Sequence, residues 1–367
     1  MRLGFRVMDS DLHTFEPDDL WVRYLDERFR AQAPRPNPRA PTPHRDQAPR
    51  HPHFRVAADA GYDAPSHLRA MDIEGIDVAV LFGTRGRHVQ MRDDLDPELA
   101  DAFARAHNDW THDFCGEDPR RLKFAAQIAY HDVGLAVREA ERAVKELGAV
   151  AVTGNPNPVN GRHIHDSCFE PLWQAIEHLG VPVCFHPTGV WGLRDDIGGR
   201  FVGHAGAHMI TNAARNPFEL MLAFASLATG GVLERHPQLV CGFLEGGCAW
   251  LPWWLWRLDD ILEKFPEDVD VPLSLCPSEY FRRQCYVGAD AGEAYLGEVV
   301  AAIGDANIII ATDYPHRDSL FPNAIQTFIE RDDLSRLTKT RILWDNVARL
   351  YARAVEPGDV FRVTSFE

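Results

Sequence analysis

The sequence predicts an α/β protein that folds as an eight-stranded (β/α)8 barrel, that is, a TIM barrel with inserted loops. Short apolar runs alternate with longer amphipathic segments along most of the 367 residues, and eight such runs can be distinguished. No change of composition marks a boundary between two domains. No glycine-rich dinucleotide fingerprint follows any of the runs, which weakens the alternative of an open, doubly wound sheet.

The expected elements follow one another in a regular order. The strands are the run that starts at Phe5 and the segments 76–82, 122–128, 149–153, 181–185, 239–244, 284–287 and 307–312. The helices are 66–75, 96–115, 133–147, 169–179 and a closing helix at 334–351. Segment 76–82 is almost continuously apolar, as a parallel strand buried on both faces is. Asp96 followed by Pro97 predicts a helix start, because aspartate caps free N–H groups and proline needs no donor there.

We therefore expect one domain over residues 1–367, interrupted by a proline-rich insertion at about 30–64. The stretch from Pro34 to Pro52 is rich in proline, arginine and histidine. Proline lacks the backbone donor that helices and inner strands require, so this stretch is expected to leave the body of the barrel. Its length is compatible with a disordered loop or with a lid over a site.

Composition limits the partners of this chain. The net charge is -16 and no basic run is present, which argues against nucleic acid. No apolar run approaches the roughly 20 residues of a membrane helix. The start, Met1 to Gly4, leads into no hydrophobic signal core, and the seven cysteines form no paired motif. These features predict a cytoplasmic protein that binds neither nucleic acid nor a membrane.

A cluster of tryptophans follows the sixth expected strand. Its members are Trp250, Trp253, Trp254 and Trp256. Some of these side chains are expected to pack on the barrel. Others could form a contact between two copies, because tryptophan is enriched in protein interfaces. A homodimer is the expectation from this cluster.

Half of a metal site is expected at the end of the first strand. Asp11 and His13 are two residues apart, so both side chains point the same way from an extended chain. A carboxylate and an imidazole suit a divalent ion such as zinc or manganese. The pair alone is also compatible with a turn cap and a loop histidine.

Three further strand ends carry similar groups. The fifth strand leads into His186, the sixth into Glu245, and the eighth into Asp313 and His316. In a barrel of parallel strands these ends meet on one face, where active sites are built. The convergence predicts a metal site. The fourth strand ends in Thr153 without a lysine that could bridge two ions, so a single ion is the simpler expectation.

Several motifs resemble those of the amidohydrolase-related family. They are D-x-D-x-H-x-x-E-P from Asp9 to Pro17, M-D-I-E-G-I-D from Met71 to Asp77, F-H-P from Phe185 to Pro187, G-G-V-L-E-R-H-P from Gly230 to Pro237, T-D-Y-P-H from Thr312 to His316 and W-D-N from Trp344 to Asn346. The likeness is to the branch that contains aminocarboxymuconate semialdehyde decarboxylase and the dihydroxybenzoate decarboxylases, and it covers nearly the whole chain.

The resemblance implies a barrel of the metal-dependent hydrolase type that holds one divalent ion. The expected ion is zinc, with manganese or iron as alternatives. Matched position by position, the ligands are Asp11, His13, His186 and Asp313. Many relatives have histidine where this chain has Glu245, often as the catalytic base, so the sequence departs from the decarboxylase pattern there.

Two enzyme functions follow from these groups. The leading expectation is hydrolysis of a small carbonyl compound (an amide, ester, lactone or C–C bond) by a metal-activated water, with Asp313, Glu245 and His316 as catalytic groups. The alternative is non-oxidative decarboxylation of an aromatic or unsaturated acid. A binding module without catalysis is a third possibility and predicts no bound metal.

The loops after the second and fifth strands are expected to overhang the site. The first holds Arg85, and the second spans 190–216. The substrate-binding candidates are Arg85, Trp191, Arg194, His204 and His208. Arginine in such a loop can bind a substrate carboxylate through two parallel hydrogen bonds.

Overall fold

The computed structural model describes residues 1–34, 52–84, 86, 92–187, 197–201, 204, 207–269, 271–316 and 318–355. Its centre is a parallel sheet of eight strands in the order of the chain, and each strand is hydrogen-bonded to the next. The strands are β1 (Met8–Thr14), β2 (Val78–Gly83), β3 (Leu122–Ala126), β4 (Ala151–Gly154), β5 (Val183–Phe185), β6 (Cys241–Phe243), β7 (Cys285–Asp290) and β8 (Ile308–Ala311). This confirms the predicted TIM barrel.

Helices follow the strands and cover the outside of the sheet. They are α1 (Leu20–Tyr24), α2 (Pro52–Asp59), α3 (Ala64–Glu74), α4 (Pro97–Cys115), α5 (Val133–Lys145), α6 (Glu170–Leu179), α7 (Ala207–Thr229), α8 (Val232–Arg235), α9 (Leu251–Lys264), α10 (Pro277–Gln284), α11 (Leu296–Ile303), α12 (Ala324–Ile329), α13 (Arg336–Thr340) and α14 (Asn346–Leu350). Within the described ranges, no helix is both long and apolar enough to cross a membrane.

Contacts between β1 and the end of β8 close the barrel. The Asp313 N–H donates to the Asp11 carbonyl at 3.1 Å, and the His13 N–H donates to the Tyr314 carbonyl at 2.7 Å. The Ser10 hydroxyl donates to the Ile310 carbonyl at 2.6 Å. Closure therefore brings the residues after β8 beside the end of β1, although about 300 residues separate them in sequence.

The register of the strands brings β5 and β6 to the same level. Phe185 lies opposite Phe243 across this pair, and each is the last residue of its strand. His186 lies directly after β5 and Glu245 lies two residues after the end of β6, so both leave the sheet at the same face. This is the geometric reason why groups that are remote in sequence meet.

Some element boundaries differ from the sequence expectation. The strands β2, β4, β5 and β6 each begin two residues later than expected, because apolar residues before them, such as Ile76 and Leu239, are buried without being strand. The expected closing helix consists of α13, a π-helical turn at Arg341–Asp345 and α14. The expected loop 190–216 ends earlier, because α7 begins at Ala207 and continues through Pro217.

The proline-rich insertion lies only partly in the described ranges. Residues 35–51 are outside them. The remainder contains a 3-10 helix at Glu27–Gln32 and the helix α2, so part of the predicted excursion is helical.

The tryptophan cluster on α9 divides into two pairs. Trp250 donates its indole N–H to the Gly247 carbonyl at 2.8 Å, and Trp254 donates to the Met221 carbonyl at 2.9 Å. Trp253 and Trp256 are 53% and 59% exposed. Trp250 and Trp254 therefore pack on the barrel, whereas Trp253 and Trp256 are accessible for a contact between two copies. The homodimer itself stays a prediction.

Replacing Asp101 by asparagine is expected to stabilise the protein above pH 6. Asp101 lies on α4, and its Oδ1 accepts no hydrogen bond from the part of the chain described here. Burial, reinforced by the charge of Glu139, raises its pKa to about 6. Between about pH 4 and 6 the Asp101 carboxyl group keeps its proton in the folded protein but loses it in the unfolded chain. Over this range Asp101 increasingly destabilises the folded state, and above about pH 6 the loss of stability is complete.

Thermal unfolding at pH 5 and pH 8 measures this effect. The free energy of unfolding of the asparagine variant should exceed that of wild type by about 1 kcal/mol at pH 8 and by less at pH 5. The full pKa shift would give a larger value, but water near the site screens the interaction. Glu117→Gln, at an exposed position just after the same helix, is the control for the loss of one negative charge. An equal gain at both pH values would contradict the assignment.

Candidate metal centre and active site

The strand β1 supplies two adjacent donors at the mouth of the barrel. All seven of its residues are buried, and Asp11 and His13 are fully inaccessible. Their spacing of two residues places both side chains on the same side of the strand. The His13 Nε2 lies 3.4 Å from Asp11 Oδ1. The expected half-site is therefore present in the structure.

His186 completes a compact group of three donors. It follows β5 directly and is fully buried. Its Nε2 lies 3.1 Å from His13 Nε2 and 3.4 Å from Asp11 Oδ2. The ligand atoms of Asp11, His13 and His186 all lie within 4.8 Å of one another.

This group fits a divalent ion better than it fits a hydrogen-bonded core. Both Asp11 oxygens are buried and accept no hydrogen bond from the described residues. A buried carboxylate without donors is costly unless a cation neutralises it. Ligands at about 2.1 Å from a tetrahedral ion lie about 3.4 Å apart, which is the spacing of these donors.

Asp313 and His316 lie next to this group. Asp313 Oδ1 is 3.3 Å from His13 Nε2 and 2.7 Å from His316 Nδ1. The backbone of Asp313 adopts a φ of 56°, a left-handed conformation that non-glycine residues rarely take. The turn after β8 holds this conformation and aims the carboxylate at the end of β1.

The pKa values of Asp313 and His316 are both shifted from their ordinary values. Burial raises the pKa of Asp313 above its ordinary value, and this outweighs the lowering by His316. Burial lowers the pKa of His316, but the Asp313 carboxylate outweighs burial and raises it. Both shifts favour the protonated form of these two groups, which suits a site that performs acid–base chemistry.

Glu245 approaches the same centre from β6. Its Oε2 lies 2.9 Å from His186 Nε2, and its Oε1 accepts a hydrogen bond from the Asn216 amide at 3.1 Å. Like Asp313, it has a left-handed backbone, with a φ of 58°. Asn216 on α7 thus positions a carboxylate that can serve as an extra ligand or as an acid–base group.

Asp9 links the end of β1 to the residue that follows β8 through hydrogen bonds. Its carboxylate accepts hydrogen bonds from the backbone N–H groups of Asp11 and Thr312, at 3.1 and 3.2 Å, and from the Thr312 hydroxyl. Burial raises its pKa to about 7. Asp9 therefore fixes the backbone of Asp11 relative to the start of the Asp313 turn.

A cavity of about 490 Å³ opens beside Glu245 and Asp313. Its volume lies within the usual range for small-molecule sites. Five carboxylates line it, from Glu245, Asp290, Glu293, Asp313 and Asp318. The Glu293 carboxylate accepts hydrogen bonds from the backbone N–H groups of Cys248 and Ala249, which precede α9. The cavity has room for a small molecule beside the carboxylates of Glu245 and Asp313.

The structure describes few of the predicted substrate-binding residues. Arg85, Trp191 and Arg194 lie outside the described residues. His204 is exposed, and its N–H donates to the Phe201 carbonyl at 3.1 Å. His208 lies in the first turn of α7, and its side chain is outside the described part. Their roles remain predictions.

Sequence reasoning missed three residues of the site. Asp9 belongs to the same two-residue period as Asp11 and His13, so this period could have identified it. Thr84, which contacts His13, follows β2 as an uncharged residue, and Asp290 is the last residue of β7, so neither gives a comparable signal.

The fold and the donors at three strand ends define a parallel (β/α)8 barrel with a site that suits a divalent metal ion. More narrowly, the sequence model described as amidohydrolase matches residues 10–353, so the chain belongs to the amidohydrolase family. This confirms the resemblance that the motifs predict.

The relatives include decarboxylases. A gamma-resorcylate decarboxylase of Polaromonas sp. is 26% identical over 293 residues, covering 77% of this chain and 86% of that protein. A 2-amino-3-carboxymuconate-6-semialdehyde decarboxylase of Dictyostelium discoideum is 24% identical, covering 80% of this chain and 77% of that protein. A dihydroxybenzoic acid decarboxylase of Polaromonas sp., solved with bound manganese and the inhibitor 2-nitroresorcinol, shares the fold. Its TM-score is 0.69, at 20% identity, covering 98% of this chain and 100% of that one.

Proposed function

We propose that the protein is a metal-dependent, non-oxidative decarboxylase of an aromatic or unsaturated carboxylic acid. The observation that carries this proposal is the likeness to two decarboxylases over about four fifths of the chain. Hydrolysis, the leading expectation from the sequence, has less support, because both of these relatives release a carboxyl group from carbon.

The proposed ligands are Asp11, His13, His186 and Asp313. A bound divalent ion would supply positive charge that holds a substrate carboxylate and an adjacent oxygen and stabilises charge developing beside them. The manganese in the related Polaromonas structure favours manganese over the expected zinc. One ion is proposed, since the three most buried donors form a single compact group.

The reaction requires a proton and no water. When the carboxyl group leaves as carbon dioxide, the electron pair of the broken C–C bond stays on the carbon, which must take one proton. We assign this proton to the pair of Asp313 and His316, whose carboxylate oxygen and ring nitrogen lie 2.7 Å apart. His316 can then return a proton to Asp313 through the same contact.

Glu245 fits this mechanism as a further polar group that lines the same cavity as Asp313. Its hydrogen bond from Asn216 holds one oxygen, and the other faces His186. In this position Glu245 can accept a hydrogen bond from a hydroxyl or amino group of the substrate. Arg85 and Arg194 remain proposals for binding the carboxylate.

Carbon dioxide release tests the function. Manganese-loaded protein is incubated with hydroxybenzoic acids and unsaturated dicarboxylic acids, and with lactones and amides of similar size. We expect carbon dioxide from at least one acid, and its loss after chelation of the metal. Hydrolysis of a lactone or amide, with no carbon dioxide from any acid, would refute the proposal in favour of the hydrolase.

A further inference from the structure

A single hydroxyl group lies between two imidazoles of the site. Thr84 follows β2 directly and is buried, with 7% of its surface exposed. Its Oγ1 lies 3.2 Å from His13 Nδ1 and 3.2 Å from His316 Nε2. The two rings are stacked, with centroids 4.1 Å apart and planes inclined by 30°. Thr84 therefore contacts the far side of a proposed ligand and the far side of a proposed acid–base group.

The backbone of Thr84 is fixed by buried polar contacts. Its N–H donates to Glu16 Oε1 at 2.9 Å, and the same oxygen lies 2.9 Å from His107 Nε2. The preceding residue must be small, because a Cβ on Gly83 would lie 2.2 Å from Gln127 Nε2 and 2.5 Å from His107 Nε2. The position of the hydroxyl is thus set by β1, β2 and α4 together.

The chemistry of a hydroxyl suits both neighbours. His13 directs its Nε2 at Asp11 and His186, so its other nitrogen, Nδ1, carries the hydrogen when the ring binds an ion. This N–H donates to the Thr84 oxygen. The hydroxyl then pairs with His316 Nε2 in either state of that ring, as a donor to the neutral ring or as an acceptor from the protonated ring.

We propose that Thr84 is a positioning residue, whose hydroxyl fixes the ring orientation of His13 for metal binding and holds His316 against Asp313. This inference rests on the ligand set of the proposed function but not on the reaction. A hydrogen bond to the outer nitrogen of a ligating histidine orients the ring and raises its affinity for the ion. Valine has the shape of threonine and offers neither imidazole a partner.

Metal affinity tests this inference without any substrate. The dissociation constant for manganese is measured by competition with a chelator in wild type, Thr84→Val, Thr84→Ala and Thr84→Ser. Valine and alanine should weaken binding about 10-fold to 100-fold. Serine, which keeps the hydroxyl, should stay within about threefold of wild type. The control is Thr229→Val, because the Thr229 hydroxyl donates to the Ala225 carbonyl within α7, outside the site.

Circular dichroism of each variant reports whether the barrel is folded, and alanine serves if valine is not tolerated. Wild-type affinity in both the valine and alanine variants would overturn the inference. Equal weakening by serine would also overturn it, since packing and not the hydroxyl would then be responsible. A wild type that binds manganese but releases no carbon dioxide would refute the proposed function and leave this comparison intact.

Discussion

His186→Ala is expected to abolish stoichiometric metal binding and to lower the activity at least about 1,000-fold. The activity falls because the bound ion would provide several kcal/mol of charge stabilisation. His186 Nε2 lies within 3.4 Å of both other members of the compact group, His13 and Asp11. Its removal breaks the compact buried group and leaves one imidazole and two carboxylates, from His13, Asp11 and Asp313, which bind a divalent ion far more weakly. Elemental analysis of protein purified without chelator measures the metal content.

His178→Ala is the matched control. His178 is an exposed histidine on α6, outside the site, and its replacement should change neither metal content nor activity. About one equivalent of metal in wild type and the control, and none in His186→Ala, is the expected pattern. Full metal content in His186→Ala would show that the donors at the strand ends do not form the site.

Asp313→Asn is expected to lower kcat by a factor of about 100 to 10,000, the usual contribution of a positioned acid–base group. Asparagine keeps the shape of the side chain but cannot hold or transfer the proton. Asp11, His13 and His186 remain, so metal binding should weaken less than in His186→Ala. A steady-state assay of carbon dioxide release together with metal analysis separates the two effects.

Asp332→Asn controls for the loss of one negative charge, because Asp332 is exposed on the surface. Its kcat should equal that of wild type. If Asp313→Asn with bound metal kept kcat within about threefold of wild type, Asp313 would not carry the proton, and Glu245 would become the candidate donor.

Much of the fold follows from local pattern in the sequence. Buried parallel strands are apolar on both faces, so β2 and β8 are visible as continuous runs such as 308–311. The end of β7 was not visible, because Gly288 and Ala289 have little preference for strand and Asp290 is polar. The π-helical turn at Arg341–Asp345 likewise depends on packing against the barrel and has no signature in local sequence.

The candidate site was predictable where polar residues directly follow apolar strands. This rule identifies His186 and Asp313 from the sequence alone. It marks Thr84 only as a polar residue after β2. The contact of Thr84 with His13 was not predictable, because it arises from the pairing of β1 with β2, in which Thr14 lies opposite Gly83. The hydrogen bond between Asn216 and Glu245 depends equally on how α7 packs over the barrel mouth.

The most direct test of the central claim is the isotopic fate of the substrate in labelled water. In deuterium oxide enriched in oxygen-18, the manganese-loaded protein should convert an aromatic or unsaturated acid into carbon dioxide and a product with one deuterium on the carbon that lost the carboxyl group. No oxygen-18 should enter the organic product during cleavage. Oxygen-18 in that product, without carbon dioxide release, would contradict the decarboxylase and establish hydrolysis.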